Sequence, residues 1–287
     1  MAIVLSLTVL AGPAAADDPL YLNWATALPA TASEYDPSAL DDCRSGRIQC
    51  VDKVIREMTR RFDGLAAACD HDSLFSLAYL RTTEEYKRAA ETPGFFEDTS
   101  FVNFEDAVFA RYYFQAYDAW HAGDIGRTPP AWRVALDAAD KRAVNASTNV
   151  LLGISAHINR DLPFVLWEIG LVKPDGTTRK RDHDKVNDFL ARVLFYSEAK
   201  ARFDPSLPED GATPGAINLV VGWREQAWRN AERLAAAEHD PLLLAAVKAD
   251  IETAAHAEAL TLRQSGAYGL LGSSATRDSY CMAQRSA

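Results

Sequence analysis

Residues 147–172 read STNVLLGISAHINRDLPFVLWEIGLV, and this stretch decides the fold. Val150, Leu151, Ile154, Ile158, Leu162, Val165 and Ile169 recur at the period of one helix face. The spacing predicts a long helix from about Ser147 to Val172, closed by the turn Lys173-Pro174-Asp175-Gly176. On a wheel of about 100° per residue, Asp161 falls within the apolar stripe and His157, one turn earlier, at its edge. Asn159 and Arg160 point elsewhere. Pro163 lacks an amide hydrogen and clashes with the carbonyl of Asn159, so a kink or break is expected beside His157 and Asp161. Carbonyls freed there would bind a ligand or a water.

The same periodicity continues on both sides. Val51, Val54, Ile55, Met58, Phe62, Leu65, Ala66 and Cys69 mark a helix, and others are expected over Asp72–Glu91 and Phe104–His121. Gly123 and Pro129-Pro130 read as a loop. Three more helices are expected at about Asp182–Phe203, Ile217–Ala237 and Pro241–Gln264. The tail after Gly266 carries no assignment, and no β alternation persists. The expected fold is therefore all-α: a single multi-helix globular domain of about seven to eight helices without significant sheet, over residues 50–287.

Ala2 to Leu10 is an apolar or small run, followed by Gly12, Pro13 and Ala14-Ala15-Ala16. This pattern predicts a signal peptide at residues 1–16, cleaved before Asp17; the alternative is an N-terminal core helix. The basic residues that open a signal are missing, so the true start is expected further upstream. Residues 17–49, rich in Pro, Asp, Ser and Ala, read as an extended arm. Nothing later approaches the roughly 18 apolar residues of a membrane span. Cys43, Cys50, Cys69 and Cys281 form an even set, which in an exported protein implies two disulfides. Cys43 with Cys50 and Cys69 with Cys281 is one of three pairings they permit. The expected location is secreted or extracytoplasmic. The net charge of −10 disfavours a nucleic-acid partner.

Ionisable groups recur on apolar faces. Arg224 sits in the middle of the face formed by Ile217, Val220, Val221, Ala227, Trp228, Ala231 and Leu234. Glu105 lies on the apolar side of its helix, and His183 on the side of Val186, Phe189, Leu190, Val193 and Leu194, with Asn187 at the border. Four helices thus each bring a polar group inward. A carboxylate in an apolar layer requires a cation or several hydrogen bonds, and Arg224, with its planar fork, is the candidate partner for Asp161. The pair is either a structural ion pair fixing helix register or the wall of a site. The aromatic stripe of Phe109, Tyr112, Tyr113 and Trp120 reads as core.

The segment AHINRDLP at 156–163 resembles the signature of an uncharacterised family of bacterial helical proteins, a domain of unknown function. DHDKVNDF at 182–189, the aromatic helix from Phe109 to Tyr117, and WREQAWRN at 223–230 match the same pattern, and the resemblance runs from about Val51 to Ala237. The signal peptide and the Cys43 to Cys50 loop look like features of an exported subgroup. The resemblance implies that His157, Asn159, Asp161, Asp184, Asn187, Arg224 and Trp228 occupy motif positions, and it implies no activity.

The leading expectation is an extracytoplasmic hydrolase acting on a small or lipidic molecule. In it His157 is the acid/base, Asp161 its orienter and Arg224 the electrostatic anchor, with Glu105, Asn159, His183, Asp184, Asn187 and Trp228 binding the ligand. The alternative is a non-catalytic helical module that binds a ligand or a cell-envelope partner. A metal held by His157, Asp161, Glu105 and His183 is the disfavoured third reading, because no HExxH or paired ExxH spacing occurs. His71-Asp72 and His183-Asp184 resemble the dipeptides of metal-dependent phosphohydrolases, yet the other ligands of that pattern are missing. There is no GxSxG nucleophile motif, and Gly269-Leu-Leu-Gly272 is not a phosphate loop.

Overall fold

Helix termini in this protein are set by local chemistry that the sequence carries openly. In the computed structural model, which describes residues 35–190, 192–193, 195–208, 214–269 and 272–285, the Asp98 side chain accepts from the Phe101 amide at 3.1 Å and caps a helix. The side chains of Asn145 and Asp240 cap two others in the same way. Pro130 and Pro241 occupy first-turn positions, where a missing N–H costs nothing.

The resulting segments are α1 (Ile48–Ala68), α2 (Ser73–Ala90), α3 (Thr99–His121), α4 (Pro130–Asp140) and α5 (Ala146–Ser155). A π-helical turn, Ala156–Asp161, leads into α6 (Leu162–Ile169). Then follow α7 (Lys180–Lys185), α8 (Asn187–Leu190), α9 (Tyr196–Arg202), α10 (Pro214–Ala237), α11 (Pro241–Ser265) and α12 (Ala275–Arg285). The fold is all-α. Among the described residues the only β pairing is two isolated bridges, Val144 with Ala267 and Val172 with Thr178.

There are more segments than the seven to eight expected, for three reasons. The helix expected over Ser147–Val172 does not break at Pro163; it widens into the π turn just before it and ends at Ile169. The amide of Leu162 donates to the carbonyl of His157, five residues back, which accommodates the missing donor and the ring of Pro163. The helix expected over Asp182–Phe203 is divided into α7, α8 and α9. In one continuous helix Phe195 would point away from Val186, Phe189 and Val193; the division brings all four onto one cavity. Finally, α4 and α12 were not expected. Pro129-Pro130 reads as loop punctuation but opens α4, whose Trp132, Leu136 and alanines are buried.

The main core lies between α1, α2, α3, α4 and α5, where Met58, Phe62, Leu65, Leu74, Leu77, Phe114 and Trp132 are almost fully enclosed. Each large apolar side chain buried there contributes about 1.5–3 kcal/mol. The α5–π–α6 rod is central, packing on α2, α3, α4, α10 and α11. Gly153 is required by that packing, since a Cβ there would lie 2.2 Å from the ring of Phe75 on α2.

Two disulfides close the frame, Cys43–Cys50 ahead of and within α1 and Cys69–Cys281 between the end of α1 and α12. Asp278 on α12 also meets His71 at 2.8 Å and Arg142 at 2.9 Å. No helix among the described residues is long and apolar enough to cross a membrane. The expected signal peptide, residues 1–16, and the arm up to residue 34 lie outside the described residues.

Candidate functional site

A cavity of about 370 Å³ opens between α2, α3, the α5–π rod and the α8–α10 segments. Its walls are mainly apolar, from residues such as Val102, Leu151, Phe189, Val193 and Val220. One imidazole, two carboxyls and one guanidinium interrupt them: His157, Glu105, Asp106 and Arg224. A concave apolar space with a few convergent polar groups is the usual form of a small-molecule site.

His157 projects from the π turn. Its Nδ1 lies 2.9 Å from Asp161 Oδ2. Asp161 is wholly buried and is reached by two further donors, Trp132 Nε1 at 2.8 Å and Arg160 Nη1 at 3.0 Å. Every partner of the carboxylate is a donor, so the imidazole proton sits on Nδ1. Burial holds the His157 pKa below its ordinary value, against the opposing pull of Asp161, and the ring is neutral. Its Nε2 therefore carries a lone pair, and this buried atom has no hydrogen-bond partner among the described residues. The ring stacks flat on Phe109 of α3, with Tyr79 of α2 edge-on at 4.6 Å.

Two further polar atoms of cavity residues are buried without a partner, the Tyr79 hydroxyl and Asp106 Oδ2. Such atoms are uncommon in folded proteins. Glu105 and Asp106 are partly buried and line the cavity. Desolvation pushes the Glu105 carboxyl up to about 7. Asp106 rises to about 8 by desolvation and the neighbouring charge of Glu105. Near neutral pH, Asp106 is mainly protonated and can donate, as can the Tyr79 hydroxyl, whose pKa burial raises well above the ordinary value.

Arg224 enters from α10. Its Nε donates to Asn187 Oδ1 at 2.9 Å and its Nη2 to the carbonyl of His183 at 2.7 Å. His183 Nε2 donates to the carbonyl of Arg224 at 3.2 Å, and its Nδ1 faces Arg224 Nη2 at 3.4 Å. Burial keeps His183 neutral and lowers Arg224 to about 10. Among the described residues no carboxylate lies within ion-pair distance of Arg224.

The expected Asp161–Arg224 pair is thus corrected: both residues are buried, but Asp161 is satisfied by Arg160, Trp132 and His157, and Arg224 bonds His183 of α7 and Asn187 of α8. Arg160, expected to point away, reaches Asp161 and also Glu252 at 2.8 Å. Of the expected site residues, His157, Glu105 and Arg224 line the cavity, with Asp161 behind His157 and His183 and Asn187 behind Arg224. Asn159 turns back to Ser155 Oγ at 3.1 Å, and Asp184 is exposed and paired with Lys180, so neither belongs to the wall. Trp228 is buried against His183, with its Nε1 donating to Glu232. The Asp182 carboxylate accepts from the amides of Glu97 and Asp98 at 2.7 and 3.0 Å. The proposed metal set is not assembled, since His183 stands with Arg224 and away from the His157–Asp161 pair. Among the described residues no three His, Cys, Asp or Glu side chains gather as ligands.

Asp106, Phe109, Tyr79 and Trp132 were not singled out as site residues. Asp106 and Phe109 share one face of α3 three residues apart, and that spacing was the available signal.

Frame and cavity together define an all-α protein with an ionisable, mainly apolar interior pocket. The chain belongs to the family described as a family of unknown function, DUF5995, which matches residues 51–265. The resemblance expected from Val51 to Ala237 lies within that match. Neither the curated proteins nor the solved structures hold a match to the chain.

Proposed function

We propose that the protein is an extracytoplasmic hydrolase that takes a small, mainly apolar ester into the cavity, with His157 as general base. The observation that carries this reading is the neutral imidazole in the cavity wall, anchored at Nδ1 by Asp161 and unpartnered at Nε2. A water at Nε2 gives its proton to the imidazole as its oxygen attacks the ester carbonyl. When the tetrahedral intermediate collapses, the C–O bond breaks and the imidazolium returns the proton to the leaving alkoxide. Asp161 keeps the tautomer that leaves Nε2 free to accept. Arg224, at the other wall, anchors the substrate electrostatically. Export is supported by the leader-like residues 1–16 and by two disulfides.

Hydrolysis of p-nitrophenyl esters of graded chain length tests the reading. The wild type turns over a medium-chain ester, and His157→Ala loses roughly a hundredfold or more of the rate while keeping its melting temperature within a few degrees. Equal turnover by the variant removes His157 from catalysis, and unfolding of the variant assigns the residue to structure.

One observation favours the second reading, a non-catalytic carrier: His157 Nε2 has almost no surface of its own. A carrier takes up the apolar molecule and hydrolyses none of the esters.

A further inference from the structure

Arg224 is a buried cation whose hydrogen-bond partners among the described residues are all neutral. Its guanidinium is held by an amide oxygen and a backbone carbonyl, and Nη1 makes no hydrogen bond among the described residues. The negative charges it senses most are Glu105 and Asp184, neither at ion-pair distance. Glu105 is itself held near half-neutral by burial, and Asp106 beside it is mostly protonated. The cavity therefore carries a fixed positive charge without a full counter-charge, and such a group is expensive to keep in a low-dielectric interior. Asn187 and His183 fix the orientation of its Nε and Nη2 edge, so the remaining N–H groups are pre-organised donors. Away from Arg224 the wall is hydrocarbon, from Ile217 and Val220 on α10 to Phe189 and Leu190 on α8. A volume of about 370 Å³ stands at the small end of ligand sites and suits one short chain.

We propose that the cavity binds a small monoanionic amphipath, whose acidic group pairs with Arg224 and whose apolar body fills the space toward His157. This rests on the reading of the cavity as a ligand site and specifies which molecules enter it. The shared chemistry is a single negative head on a short hydrocarbon chain, whether carboxylate or sulfate.

Calorimetric titration of the full chain with octanoate, octyl sulfate and octan-1-ol tests it, and none of these is an ester that the protein could consume. The wild type is expected to bind at least one anion roughly tenfold or more tightly than the alcohol, the size of one charge-assisted pair. The octanoate and octyl sulfate arms tell the two heads apart. Arg224→Met is expected to lose that preference while still taking up octan-1-ol, and Arg224→Lys to retain part of it. If Arg224→Met does not fold, the wild-type ratio and Arg224→Lys decide. The proposal is overturned if the wild type binds the alcohol as tightly as both anions, binds none of the three, or if the preference persists in Arg224→Met. Ester turnover without an anion preference overturns this proposal and leaves the hydrolase reading standing; an anion preference without turnover does the reverse.

Discussion

The imidazole of His157 lies flat on the ring of Phe109, with centroids 3.6 Å apart and planes 5° from parallel. Asp161 fixes one edge of the imidazole and Phe109 one face, so two elements, the π turn and α3, define where Nε2 points. The hydrolase and the carrier reading part on whether a water reaches that nitrogen.

Removing the cover has a predictable result. In Phe109→Ala, water enters beside the ring and the desolvation that depresses the His157 pKa is relieved, so the pKa moves up toward its ordinary value. Stability falls by roughly 2–4 kcal/mol through the lost packing. Histidine titration by NMR, together with urea unfolding, checks both.

Asp161 is the most heavily committed carboxylate in the site. Asp161→Ala strands the Trp132 indole N–H and the His157 Nδ1–H and leaves Arg160 with Glu252 as its remaining carboxylate. The expected loss is about 3–5 kcal/mol, and less for Asp161→Asn, which keeps an acceptor. A change below about 1 kcal/mol in thermal unfolding of the alanine variant would show that these contacts do not hold the rod.

Glu105 and Asp106 make stability depend on pH with a defined sign. Their folded pKa values, about 7 and about 8, stand above ordinary carboxyl values. The unfolded chain therefore releases these protons first. The stability tied to the neutral carboxyls is complete below about pH 4 and declines as pH rises toward 8. Glu105→Gln and Asp106→Asn should each be nearly neutral at pH 4 and stabilising by about 1–3 kcal/mol at pH 8. The gain is smaller for Glu105, whose charge also supports Arg224. Denaturant titrations at the two pH values check the difference.

The two disulfides should contribute unequally. Cys43–Cys50 spans 7 residues of sequence and Cys69–Cys281 spans 212. Chain-entropy reasoning gives about 2–3 kcal/mol for the first and about 5 for the second. Replacing each pair by serine and comparing melting temperatures, with and without reductant, tests the order. The contacts of Asp278 with His71 and Arg142, and of Arg277 with Asn149 at 2.7 Å, should keep α12 partly docked when its disulfide is absent.

The stripe from Val150 to Ile169 made the central rod legible from the sequence, and the same wheel placed Asp161 in the interior with His157 one turn away. The four-residue spacing sufficed for that pair, because both residues ride on one element. The pairing of Asp161 with Arg224 did not follow from the same evidence. A wheel reports which face of a helix is buried, and two buried faces need not meet in the same layer. Arg160 was misread because a long side chain at a helix edge can fold back onto its neighbour. Trp132 was hidden in α4, where two prolines resemble a loop and in fact start a helix. Phe109 looked like ordinary core, and its role depends on a contact between elements that no periodicity encodes.

The central claim is that His157 keeps a proton-free, unpartnered Nε2 in the wall of a cavity that accepts a ligand. Long-range ¹H–¹⁵N correlation of the histidine rings, followed through an octanoate titration and assigned with His157→Gln, tests it most directly. The expected spectrum has the His157 proton on Nδ1 and none on Nε2, with both nitrogens shifting as octanoate saturates the protein. A proton on Nε2, or His157 resonances that stay fixed while octanoate binds, would contradict the account.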